Sequence, residues 1–157
     1  MERTDLIARE SIRDLLARYT WAADRGETEA VADCFAVDGV LDVGEHGGRW
    51  EGRDQITSEL EAVATRVAEA GGSPGPVRHH VSSVVIDLDH HDSATVRSYF
   101  LVLTSIGPDH WGRYRDRVVE TAPGGRWQFA ERVVRVDGHA TGSLMVPDGP
   151  SPEPRSS

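Results

Sequence analysis

A chain of 157 residues and 17.2 kDa, 38% hydrophobic and 27% charged, has the size and balance of one globular domain with a real core. Its 26 acidic residues outnumber 17 basic ones, and a net charge of −9 excludes the clustered positive charge that nucleic-acid binding requires. One cysteine, Cys34, excludes an internal disulfide and a thiolate metal site, and apolar runs such as residues 99–103 are far too short for a membrane-spanning helix.

The opening Met-Glu-Arg-Thr-Asp lacks the basic-then-apolar order of a secretory leader, so the expected location is the cytoplasm. From Asp5 to Asp24, Leu6, Ile7, Ile12, Leu15, Leu16, Tyr19 and Ala23 recur at three- and four-residue steps, which predicts an amphipathic helix. Gly26 is placed to end it in a left-handed turn. A second helix is predicted from Glu27 to Phe35, and Asp38-Gly39 reads as a turn. Val40–Val43 and residues 47–52 read as the two legs of a small hairpin. Ile56, Leu60, Val63, Val67 and Ala70 predict a third helix, followed by a Gly/Pro loop over residues 71–76.

The second half is a run of predicted strands, Val77–Leu88, Ser93–Thr104, His110–Thr121 and Arg126–Val136, joined by short polar turns. Short turns join only antiparallel neighbours, so these strands form a meander. Helices first and a long sheet second imply an α+β domain: three helices packed on a strongly curved antiparallel sheet, a cone-shaped half-barrel whose mouth is an internal pocket. The domain is expected over residues 1–146, with a disordered tail over residues 147–157, where Pro, Ser and Gly leave almost nothing to bury.

Several side chains could carry chemistry. Asp24 stands at the end of the first helix, where the macrodipole is negative, an unfavourable place for a carboxylate unless it serves a purpose. Tyr19 lies on that helix's apolar face. Strand alternation sends His79 and His80 to opposite faces: His79 with Val81, Ser83 and Val85, His80 with Arg78, Ser82, Val84 and Ile86. The less charged set makes His79 the preferred pocket residue, with His80 the alternative. In residues 111–118, Arg113, Arg115 and Arg117 share one face, while Tyr114 and Asp116 point inward, where an acid needs a partner. Arg132 or Arg135 on the last strand could supply it.

The seven histidines show neither metal-ligand spacing on a helix nor a C-x-x-C companion, so no metal is expected. There is no G-x-S-x-G elbow, G-x-G-x-x-G turn or Walker loop, and no cofactor is expected.

Residues 12–19, 23–27 and 31–40, then Arg78–Ser83, Gly112–Arg117 and Trp127–Arg132, resemble the sequence blocks of the SnoaL-like family in the nuclear transport factor 2-like superfamily. The similarity spans about residues 5–140. It is to the branch containing scytalone dehydratase, hexachlorocyclohexane dehydrochlorinase and bile-acid dehydratase. The resemblance implies a curved sheet around an apolar pocket, often in dimers. It also implies an aspartate that orients a proton-abstracting histidine, matched by Asp24 and His79. Ser83 stands where asparagine is common. Arg132 matches an arginine that stabilises the departing group, and Tyr19 a pocket tyrosine. The implied function is cofactor-independent dehydration, cyclisation or isomerisation of a small hydrophobic substrate, with Asp24, His79, Tyr19 and Arg132 catalytic. Tyr114, Asp116, His80, Trp21 and Phe100 are expected to contact substrate, and a homodimer or higher homo-oligomer is expected. A non-catalytic hydrophobic ligand-binding or partner-supporting domain is the alternative.

Overall fold

The computed structural model describes residues 2–69, 75–90, 92–122 and 124–146; the tail expected beyond Val146 lies outside them. The elements run α1 (Arg3–Asp24), α2 (Thr28–Ala32), β1 (Phe35–Gly44), β2 (Gly48–Glu51), α3 (Arg53–Glu69), β3 (Arg78–His90), β4 (Ser93–Thr104), β5 (Gly107–Glu120) and β6 (Trp127–His139). The strands form one six-stranded open sheet in the order β2-β1-β6-β5-β4-β3. The meander of β3 to β6 is antiparallel as the short turns require. The hairpin β1–β2 joins its far edge through a parallel β1–β6 pairing that the local sequence pattern does not signal.

Of the expected α1 stripe, Leu6 and Ile7 are exposed and Ala23 is partly buried, while Ile12, Leu15, Leu16 and Tyr19 are buried, together with Ala22. The buried side chains pack with Phe35, Leu41, Ile86, Val96, Val118 and Phe129 from the sheet. Gly26 takes φ +67° and ends the helix as expected. A second cluster, Phe100, Val102 and Tyr114, sits farther along the inner face against the partly covered Val81, Val136 and Met145. No helix among the described residues is long and apolar enough to cross a membrane.

Three expectations need correction, and the first two have one cause. The helix predicted through Phe35 ends at Ala32, and Asp38-Gly39 lies inside β1 rather than in a turn. Between Phe35↔Phe129 and Val40↔Glu131 the register slips, so β1 carries a long irregularity that mimics a turn in sequence. Third, Val85 does not share a face with His79. Ser82 pairs with Tyr99 and Val85 with Arg97, so β3 holds one extra residue there, and Ser83 takes φ +52°. The bulge reverses the alternation: Ile86 is buried and Val85 is 45% exposed. It lets His79 near one end and Ile86 near the other both face the helices.

The left-handed backbone at Ser83 is costly for any side chain and worst for a branched one. Ser83→Val therefore destabilises the fold by about 1–2 kcal/mol in urea titrations, while Ser83→Gly leaves it unchanged or slightly more stable.

Candidate active site

The end of α1 and the start of β3 meet at Asp24. Its Oδ1 accepts the backbone N–H of His79 at 3.0 Å and lies 2.6 Å from His79 Nδ1. These two donors offset the unfavourable position at the helix C-terminus. A carboxylate can only accept, so Nδ1 carries a proton, and in the neutral ring Nε2 keeps the lone pair. The two side chains retain 10% and 15% of their exposure, for Asp24 and His79 respectively. A cavity of about 230 Å³ opens beside them, lined by Thr20, Trp21, Asp24, Arg25, Arg78, His79 and His80. Of the two candidate histidines, then, His79 holds the carboxylate. His80 turns to the exposed face, and Trp21 stands 68% exposed on the outer side of α1. Both border this opening rather than the interior.

Deeper on the inner face, Arg132 and Asp116 form a two-pronged ion pair, Nε–Oδ1 and Nη2–Oδ2 both 2.9 Å, with each side chain no more than 1% exposed. They are opposite residues on β6 and β5, which explains why the acid among inward-facing positions found its arginine. Burial pushes the Asp116 carboxyl up and the guanidinium pulls it back. Facing an arginine that does not give up its proton, Asp116 is the ionised partner. Burial opposes the charge on Arg132, but Asp116 holds its pKa above the ordinary value. The guanidinium carbon lies 4.2 Å from the Tyr19 ring centre, 4.0 Å from Tyr114 and 4.2 Å from Phe129. Its Nη1 has no hydrogen-bond partner among the described residues. Asp116, with both oxygens engaged, thus lies behind Arg132 rather than in position to touch a ligand.

Tyr19 is wedged edge-on against Phe35 and Phe129, and Tyr114 stacks on Phe100 at 4.6 Å. Burial raises both phenols, so each remains a neutral donor near pH 7. Gly112 makes the stack possible: a Cβ there would lie 2.9 Å from Phe100 Cζ and 2.0 Å from the Arg135 carbonyl.

The sequence pattern passes over one group entirely. Asp109 and His110, placed near a loop end by their flanking Pro and Gly, lie in β5 and are buried. Leu103 pairs with Pro108 and Val102 with His110, so Asp109 is an extra residue in the ladder and both neighbours in sequence can turn inward. Their adjacency is the only signal in the sequence. Among the described residues no group of three His, Cys, Asp or Glu side chains is arranged to hold a metal. A larger recess of about 940 Å³ at the start of α1, among Glu2, Asp5, Asp89 and Glu120, contains none of the expected site residues.

Comparisons with known proteins agree with this architecture. The SnoaL-like domain model matches residues 4–133. A structure from Catenulispora acidiphila has TM-score 0.73 and 26% identity, covering 87% of this chain and 96% of that one. The Catenulispora acidiphila structure in complex with S-DNPA has TM-score 0.70 and 27% identity, covering 84% and 95%. A protein from Novosphingobium aromaticivorans provisionally assigned as a scytalone dehydratase has TM-score 0.72 and 26% identity, covering 90% and 94%. No curated protein matches the chain.

Removing one partner of the buried pair strands the other charge. Asp116→Asn should cost about 3–5 kcal/mol in denaturant unfolding, and Asp116→Asn combined with Arg132→Met should cost less than Asp116→Asn alone. Burial lowers the His110 pKa despite the neighbouring Asp109. The unfolded chain therefore takes up this proton more readily than the folded one. The stability His110 contributes is complete above about pH 6.5 and is lost as pH falls below that value. His110→Gln should flatten this part of the stability–pH curve, measured by urea unfolding at several pH values.

Proposed function

The chain belongs to the SnoaL-like family, and from that premise we propose that it is a cofactor-independent acid/base enzyme that removes a proton from a small hydrophobic substrate. The observation that carries this reading is the 2.6 Å contact between Asp24 Oδ1 and His79 Nδ1 beside the cavity between the end of α1 and the start of β3. A carboxylate that accepts the Nδ1 proton fixes the tautomer and stabilises the imidazolium formed when Nε2 takes a proton. In a site walled off from water that stabilisation is larger than in solution.

In this reading His79 is the base, Asp24 its orienting carboxylate, and Tyr19 and Tyr114 hydrogen-bond donors. The electron pair left by the departing proton moves onto a carbonyl oxygen to give an enolate, or forms a C=C bond as the C–O bond of a β-hydroxyl breaks, the hydroxyl leaving as water with the proton returned by the His79 imidazolium. Arg132, with an unsatisfied Nη1, offsets that negative charge. Asp116 acts through Arg132, holding the guanidinium flat among the three rings. Phe100, stacked on Tyr114, supplies apolar wall, while Trp21 and His80 border the entrance. The relative that binds S-DNPA supports a small-molecule role for this pocket, and the one provisionally assigned as a scytalone dehydratase supports elimination of water. The fold alone does not select the chemistry, since 332 solved chains share it.

The test uses 2-tetralone, a fused-ring ketone with acidic α-protons, in D2O. The protein should accelerate deuterium incorporation at those carbons. His79→Asn should reduce the acceleration by about 10²–10⁴-fold, and Asp24→Asn by about 10²-fold, with circular dichroism unchanged in both. Equal exchange by the wild type and His79→Asn would sink the proposal.

A further inference from the structure

The inner face holds a second carboxylate–imidazole pair that the proposed reaction does not use. Asp109 is 0% exposed and its two oxygens receive four donors. Oδ1 accepts Ser143 Oγ–H at 2.6 Å and lies 2.8 Å from His110 Nδ1. Oδ2 accepts Thr104 Oγ1–H at 3.1 Å and the Leu144 N–H at 2.9 Å. Burial alone would raise this carboxyl, but the donors from Ser143, Leu144, His110 and Thr104 hold it below the ordinary carboxylate range. An ionised, fully occupied Asp109 requires that His110 Nδ1 carry its proton. Nε2 is then an acceptor facing away from Asp109.

The sheet register says where that acceptor lies. His79 pairs with Val102 on β4, and Val102 pairs with His110 on β5. Directly paired residues turn to the same side, so both imidazoles stand on one rung of the inner face with Val102 between them. Two strand spacings separate their backbones, about 10 Å. His110 meets Phe100 edge-on at 5.9 Å, and Phe100 stacks on Tyr114. Beside them Val81, Val136 and Met145 are only partly covered, so this end of the face is apolar.

We propose that His110 selects a substrate carrying a hydroxyl group, whose O–H donates to Nε2 at the opposite side of the hollow from the carbon attacked by His79. Asp109 is the positioning residue: it sets the His110 tautomer and also fastens residues 140–146, through the Ala140 N–H to its own carbonyl at 2.7 Å and through Ser143 and Leu144. The carboxylate that orients the acceptor is thereby tied to the segment that brings Met145 onto the Phe100–Tyr114 cluster. A ligand with a donor at that end satisfies a lone pair that an ether or hydrocarbon leaves unpaired, and such mismatches separate close analogues strongly. The inference rests on the proposed function for the existence of the hollow.

Titration calorimetry with 2-naphthol and 2-methoxynaphthalene tests it, because the two share a skeleton and differ in the donor. The wild type should bind 2-naphthol about tenfold more tightly, and His110→Phe should reduce that preference to about twofold or less while leaving the ether's affinity unchanged. Nitrogen-15 histidine NMR of the wild type gives an independent readout that needs no variant to fold. On adding 2-naphthol, the Nε2 signals of both His79 and His110 should shift. A shift at His79 alone, or an undiminished preference in His110→Phe, overturns the role of His110 and leaves the Asp24–His79 site standing. No shift at either histidine overturns the hollow itself, and both proposals with it.

Discussion

The contact on which the arrangement turns is made by one carboxylate at the end of α1. Asp24 accepts both the main-chain N–H and the ring Nδ1 of a residue 55 positions away. The first bond fixes where β3 begins relative to the helix, and the second fixes how the imidazole is turned. Had the carboxylate bonded only the ring, α1 could slide along the sheet and carry the pair with it. Bonded to the backbone as well, it ties packing of the helical layer and geometry of the site to the same atoms. A helix C-terminus is a poor location for negative charge, so the position is tolerated because two donors meet it there.

Behind that contact the inner face is unusually polar for a core. Asp116, Arg132, Asp109, His110 and Ser98 are all buried there, and Gln128 is buried where β6 passes the start of β1. Gln128 gives its amide hydrogens to the Asp33 and Phe35 carbonyls, and Asp116 and Arg132 satisfy each other. Ser98 Oγ and Arg132 Nη1 are left over. A purely structural core of the same shape would be more stable with hydrocarbon at these places. Three aromatic rings around Arg132 recover part of the cost of burying its charge.

Much of this was legible in the sequence because it depends on local periodicity. The α1 stripe from Ile12 to Tyr19, the alternation of Arg113, Arg115 and Arg117 against Tyr114 and Asp116, and the β4 boundaries all follow from two simple repeats. The pairing of an inward acid with a strand arginine followed from the rule that buried charge needs a partner. What escaped the sequence was register. The irregularity at residues 36–39, the extra residue at Ser83 and the extra residue at Asp109 each depend on how a neighbouring strand is aligned, which no single strand encodes. Asp38-Gly39 looked like a turn for that reason, and Asp109-His110 looked like the edge of one. His79 and His80 turn to opposite faces as alternation requires, because they fall before the β3 bulge.

The bulges also explain why the polar groups converge. A regular ladder sends Asp109 and His110 to opposite faces; the extra residue turns both inward and lets one orient the other. At Ser83 the bulge keeps His79 and Ile86 on one face although they are seven positions apart. The inner face thereby acquires two imidazoles whose Nδ1 atoms are both committed to carboxylates, so in the neutral ring each keeps an Nε2 lone pair on the side away from its carboxylate. The same face carries two neutral phenols and one guanidinium with a donor to spare. Acceptors and donors interspersed on one otherwise apolar face suit a neutral, mostly apolar molecule with hydrogen-bonding groups of both kinds. A free anion would find only the donors complementary, and a cation only the acceptors.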